Sequence, residues 1–248
     1  EVTAIIIFAT QMVLTCKRGK VPFRPESGFL MGAMGWFVLM SLLDTAHTYF
    51  TMSAATPQAM LWYVATYQAP LRDFQIHGLA LFMILGVSSR MIPAFYGRPP
   101  TPPRRGWCAF GLLTAAVLGE VALFLLYRFT NDEMFAALLL VAWIMLAAGV
   151  VLQVWPWKLW RKPRRYDRSD KFIRTAYAWL GLSLLMLLLL PVYLAAAKMA
   201  FSHAYYGAMR HAITVGFVSL MIMGMSSRFV PAIRGVPGNR LARLRGPF

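Results

Sequence analysis

Histidine carries most of the chemical reach in this chain, and there are four: His47, His77, His203 and His211. An imidazole can ligate a metal through one ring nitrogen while the other donates to a carboxylate or carbonyl that fixes its orientation. Carboxylates stand at helical spacing from two of them. Asp44 lies three residues before His47, and Asp73 lies four before His77. On a helix each pair shares a face. Glu120 is a third acid, set alone in an apolar run. Arg72 and Arg210 are cations close in sequence to His77 and His211. The thiols offer less. Cys16 and Cys108 form neither CxxC nor CxxCH, which excludes a thiolate zinc site and covalent c-type haem attachment.

The elements that must position these groups are membrane helices. The chain is 59% hydrophobic and 14% charged, with a mean hydropathy of +0.57, whereas soluble domains carry about a quarter charged residues. Runs near the length needed to cross a bilayer, roughly 20 residues, fall at about 28–50, 70–93, 107–127, 134–156, 173–197 and 203–231. A shorter run at 1–16 reads as a truncated first helix. With no signal-peptide pattern at the start, the expectation is a retained part of a longer protein. The segments at 97–106 and 161–170, rich in Gly, Pro and Arg, separate the spans. A weaker patch, Ala59–Tyr67, is too short to cross and is expected along the surface, with Trp62, Tyr63 and Tyr67 as interface anchors. The fold class is therefore all-α: a polytopic membrane bundle of about seven transmembrane helices, forming one transmembrane domain over 1–248.

The net charge of +16 suggests a nucleic-acid binder only until the cations are placed. They lie in short loops between apolar runs, not on an amphipathic face. Lys17, Arg18, Lys20 and Arg24 fall in one loop, and Arg98, Arg104 and Arg105 in another. The richest loop includes Lys158, Arg161, Lys162, Arg164 and Arg165, and Arg234, Arg240, Arg243 and Arg245 follow the last span. The alternate loops hold few. The positive-inside rule places the basic loops and the C-terminus in the cytoplasm of a bacterial inner membrane. The expected partners are the lipid bilayer and other subunits of a membrane complex, with no nucleic acid.

One repeat is plain. Ile84–Gly97 reads ILGVSSRMIPAFYG and Ile222–Gly235 reads IMGMSSRFVPAIRG, with eight of fourteen positions identical. The repeat halves, about 70–106 and 203–240, run in the same direction across the membrane, which makes the repeat parallel. Each SSR-x-x-P-A element reads as a packing and termination device, with the Arg at the helix end and the Pro stopping or kinking the helix.

This topology gathers all four histidines in the outer half of the bundle. His77 lies roughly 10 Å below the outer end of its helix. With the repeats aligned, His211 falls opposite Asp73, so His77 and His211 share a face about 6 Å apart in depth. Ionisable groups at membrane depth are costly and point to function. Two histidines on two helices of an apolar bundle supply the axial nitrogens of a b-type haem. Asp73 and Asp44 are placed to accept the second imidazole N–H. Arg72 and Arg210 are placed to pair with propionates, or else are interfacial charges. His47 is a second metal-site candidate, and His203 reads as interfacial. Glu120 is a proton-handling group, a ligand to a second metal or a paired polar residue within the bundle. The sixteen methionines are spread among apolar faces and read as core and lipid contact.

The segment His211-Ala-Ile-Thr-Val-Gly-Phe-Val, continuing to GMSSRFVPAIRG, resembles the helix signature of the NnrS family, and IHGLALFMILGVSSRMIPAFYG resembles its first half. The match covers about 60 residues of specific pattern. Proteins of that family are polytopic, contain haem and copper, and are associated with nitric oxide metabolism. The resemblance implies haem b on His77 and His211, copper as a second candidate cofactor, and a role in nitric oxide metabolism or electron transfer. The IHG helix also resembles, faintly, the haem-ligating helix of haem–copper oxidase catalytic subunits. The chain has no adjacent His pair and no H-x-x-x-Y, so no dioxygen-reducing copper centre is expected. Competing readings are a transporter, for which internal repeats are common, and an anchor or scaffold subunit of a redox or photosynthetic complex.

Overall fold

In the computed structural model, residues 2–19, 22–161, 168–199 and 201–233 are described. They form seven helices: α1 (Val2–Arg18), α2 (Pro25–Met52), α3 (Pro57–Tyr96), α4 (Pro103–Thr130), α5 (Glu133–Trp157), α6 (Arg168–Ala197) and α7 (203–233). Six of them, α2 to α7, are long and apolar enough to cross a membrane. The protein is a multi-pass helical membrane bundle. Lys20, Lys162, Arg164, Arg165 and the basic tail from Arg234 onward lie outside the described residues, as does Gly235 of the second repeat.

The patch at Ala59–Tyr67 is not a separate surface segment. It opens α3, which runs unbroken for 40 residues. Thr56 caps its start, accepting from the Ala59 amide at 3.1 Å, with Pro57 in the first turn. Pro70 and Pro93 both lie inside this helix. The helix ends instead at Gly97, whose φ of 59° is the left-handed conformation that terminates a helix and that glycine takes without strain. The Pro of the first SSR-x-x-P-A element therefore sits within the last turn and does not terminate it.

The chain divides into two compact units, 1–157 and 158–248. In the first, α4 and α5 form a tight antiparallel hairpin. A Cβ on Gly149 would lie 2.6 Å from Leu113 Cγ, and one on Gly119 would lie 3.2 Å from Ala142 Cβ. Such small residues let membrane helices approach closely where no aqueous hydrophobic effect drives them together. Asn131, in the left-handed conformation, ends α4, and Asp132 caps α5 by accepting from the Met134 amide at 2.9 Å. The packing of α2 on α3 and α4 is aromatic, with Phe29, Phe82 and Phe110 in mutual contact at 5.4–5.8 Å and Trp36 on Phe74 and Phe82. In the second unit, α6 packs on α7 through Tyr177 against Phe217, and Tyr205 donates from its hydroxyl to the Met186 carbonyl at 2.6 Å.

The repeat extends to the backbone. Residues Phe74–Ala80 of α3 and Ala212–Ser219 of α7 are π-helical, with α-helix on both sides. The register that sets Ile84 on Ile222 sets Phe74 on Ala212, so both segments begin at the same repeat position. The same register sets Gly78 on Gly216 and Gly86 on Gly224. A Cβ on Gly78 would lie 2.9 Å from Trp36 Cγ, and one on Gly216 would lie 2.5 Å from Trp179 Cγ. Gly86 is closed by Phe29 and Leu30, and Gly224 by Phe172 and Ile173. Phe29, Leu30 and Trp36 of α2 thus answer to Phe172, Ile173 and Trp179 of α6. The duplicated unit is a helix pair, not a single motif.

Candidate functional site

The π segments carry the histidines that sequence singled out. His77 is the fourth residue of the first, and His211 directly precedes the second. A π-helical turn is rare and replaces i→i+4 bonds by i→i+5, which shifts the face that the following side chains present; such turns recur at functional sites. Nothing in the residue types of 74–80 or 212–219 distinguishes these segments from ordinary helix. Their glycines are the one visible trace.

His77 is 7% exposed, and its Nδ1 lies 2.9 Å from Oε2 of Glu120, itself 2% exposed. Glu120 comes from α4, 43 residues away. A carboxylate that accepts from His77 holds the imidazole proton on Nδ1 and leaves the lone pair on Nε2. His211 has the same polarity by another route. Its Nδ1 lies 2.7 Å from the carbonyl oxygen of Gly207, one turn earlier in α7. A carbonyl accepts only, so Nδ1 carries the proton and Nε2 the lone pair. Its side chain is exposed within its own unit. Metal-bound histidines commonly donate their second N–H to such acceptors, which fix tautomer and ring orientation.

The remaining candidates are dispersed. Asp73 is half-buried at the end of the α-helical turn before His77, and Arg72 is exposed beside it. Arg210 is half-buried, with Cζ 6.0 Å from the centre of the Tyr206 ring. Repeat register sets Arg72 on Arg210 and Asp73 on His211. His47 is half-buried near the end of α2. Its Nδ1 is 3.0 Å from Thr51 Oγ1, and its ring stacks on Tyr67 at 6.1 Å. Phe50, Tyr63 and Tyr67 extend that stack. Asp44 is exposed. His203 opens α7 on the surface, with its ring edge-to-face on Phe201 at 4.6 Å.

Among the described residues, no three of His, Cys, Asp and Glu gather into a cluster that could hold a metal ion by themselves. What the sequence pattern missed is the partner of His77. Glu120 was legible as the acid of an apolar helix, but its reach across to α3 was not. Against known proteins, a family model described as "NnrS protein" matches residues 3–230. The chain belongs to the NnrS family. No curated protein and no solved structure matches it. The family match runs across both units, so both copies of the π-turn helix belong to the NnrS region.

Proposed function

We propose that this NnrS-family protein is a membrane haem protein, in which His77 and His211, each in its own unit, would hold b-type haem. The observation that carries the reading is the shared polarity of the two imidazoles, each with Nδ1 engaged by an acceptor, one within a π segment and the other directly before one. The donor set suits haem better than a bare ion. A porphyrin supplies four nitrogens and asks the protein for only one or two imidazoles, whereas copper or zinc needs several side chains together. When bound, haem would supply a redox-active iron able to bind nitric oxide. On this reading the protein acts in nitric oxide metabolism or electron transfer.

The chain's own residues have defined tasks in this reading. Glu120 holds His77 in one tautomer and makes its imidazole a stronger donor. The Gly207 carbonyl does the same for His211. Arg72 and Arg210, at equivalent repeat positions, would pair with propionates. On this reading the basic loops face the cytoplasm of the inner membrane; His77, 20 residues after Pro57, lies midway along the 40-residue α3 rather than about 10 Å from its outer end.

The test is an optical spectrum of the full chain purified from haem-replete cells. A Soret band is expected, lost or strongly reduced in His77→Ala and in His211→Ala and retained in His203→Ala. A colourless protein that is otherwise monodisperse would overturn the reading.

A further inference from the structure

The two repeats differ at the helix ends opposite the histidines. In the second, Arg228 of the SSR element is neutralised within its own unit: its guanidinium donates to Asp170 and to Ser169 at the start of α6. Repeat register sets Arg228 on Arg90, Ser169 on Glu26 and Asp170 on Ser27. The acid has moved by one residue, and the pair is not made. Among the described residues neither Arg90 nor Glu26 has an ion-pair partner.

Where the second unit has an ion pair, the first has a cavity of about 340 Å³, lined by Arg24, Glu26, Ser27, Arg90, Thr101 and Gln153 among others. That volume falls within the range of small-ligand sites, about 300–1,000 Å³. Its deepest polar group is Gln153, 1% exposed. The amide orientation follows from its neighbours. Ser89 donates its hydroxyl proton to the Leu85 carbonyl at 2.5 Å, so its oxygen can only accept, and Gln153 Nε2 donates to it at 2.6 Å. Oε1 is then left buried with no donor. A buried polar atom without a partner is destabilising, and a cavity wall is where a ligand can relieve that cost. Gly106 lets Pro25 pack against α4 at the cavity wall, since a Cβ there would stand 2.7 Å from Pro25 Cβ.

The lining has two chemistries. Arg24 and Arg90 offer cationic N–H donors, which suit a phosphate. Glu26 and Gln153 Oε1 offer acceptors, which suit an ammonium. The position is equally specific. The spans Pro25–Met52 and Pro103–Thr130 begin at the cavity, and Pro57–Tyr96 and Glu133–Trp157 end near it. This is the level of lipid headgroups.

We propose that the first unit holds a binding site for a phosphate that carries a primary ammonium, the phosphoethanolamine group. Its source is either the headgroup of phosphatidylethanolamine or the free ester. The site is independent of haem.

The test is native mass spectrometry of the full chain, stripped of lipid in detergent and titrated with phosphatidylethanolamine, phosphatidylcholine or free phosphoethanolamine. One tightly held phosphatidylethanolamine is expected, with phosphatidylcholine weaker because its quaternary ammonium has no N–H. Losing one charge-assisted contact in Arg90→Gln should weaken it about tenfold or more. Gln153→Met should remove the preference between the two lipids. Saturation by free phosphoethanolamine with the same Arg90 dependence would support the site and identify the soluble ester as its source. Equal binding of both lipids to the unmodified protein, or affinity unchanged in Arg90→Gln, would overturn the proposal. Arg90 is exposed, so Arg90→Gln is expected to fold, and an unchanged melting temperature without lipid checks that.

Discussion

Breaking the contact between His77 and Glu120 should cost far more than an ordinary surface pair, because neither side chain can recover water. The side chains are 8% and 3% exposed and meet at 2.9 Å. Exposed ion pairs are worth about 0–1 kcal/mol, but His77→Ala removes the donor to a buried carboxylate and typically costs about 3–5 kcal/mol. Glu120→Ala removes the acceptor of a neutral N–H, about 1–3 kcal/mol, and the gap it leaves in α4 adds to that. Glu120→Gln keeps the volume and an acceptor oxygen and loses only the charge assistance, about 1–1.5 kcal/mol. The assay is reversible unfolding of the apoprotein in mixed micelles, followed by helix ellipticity, for the wild type, Glu120→Ala, His77→Ala and the double variant. Once one partner is gone, removing the other should cost little, giving a coupling energy of at least about 1.5 kcal/mol. Losses that add to within about 0.5 kcal/mol would refute the pairing. The result does not depend on haem.

Three further outcomes follow from the packing and the site. Gly78→Ala should cost about 1–3 kcal/mol by overpacking, and more than Gly216→Ala despite the longer clash distance. Trp36 is 5% exposed and has nowhere to move, whereas Trp179 is 40% exposed; thermal unfolding of both variants checks the order. Arg228→Ala removes a guanidinium from the carboxylate of Asp170, which is 1% exposed, and should cost about 1–3 kcal/mol; adding Asp170→Asn should recover part of it, measured in the same unfolding assay. If haem is bound on His77, Glu120→Gln should raise its midpoint potential by no more than about 60 mV, the one-electron equivalent of the lost charge assistance, in a spectroscopic redox titration; a fall would contradict the assigned role of Glu120.

The spans were legible because hydropathy is a property of runs, and a run of apolar residues has few alternatives in a bilayer. The boundaries of α4, α5 and α6 fall within a few residues of the apolar runs for that reason. The first third of α3 was not legible in this way. Its polar and proline-bearing stretch, Gln68 to Asp73, dilutes the hydropathy, yet Pro70 is accommodated without ending the helix. His77 and Glu120 were each identified as unusual, since an ionisable residue in an apolar run stands out alone. Their contact was not, because nothing local in sequence encodes which faces of α3 and α4 meet.

Alignment sets His77 on Val215 and His211 on Asp73, so the two histidines stand four repeat positions apart, on one helix face at two depths, and in both copies a π segment begins at the same repeat position. An α-helical turn holds 3.6 residues, so positions four apart overshoot one turn. A π turn is closed by i→i+5 bonds and holds more, which brings positions four apart closer to one line along the helix. Asp73 and His77, and likewise His211 and Val215, then lie one above the other on one face. Each copy of the helix can thus carry its imidazole at either of two heights on that face. The neighbouring chemistry differs accordingly. At the deeper position His77 meets a side chain of α4, whereas at the shallower one His211 reaches back to its own backbone at Gly207. A side-chain partner can be altered by one substitution and a backbone carbonyl cannot, so the His77 environment is the tunable one of the two.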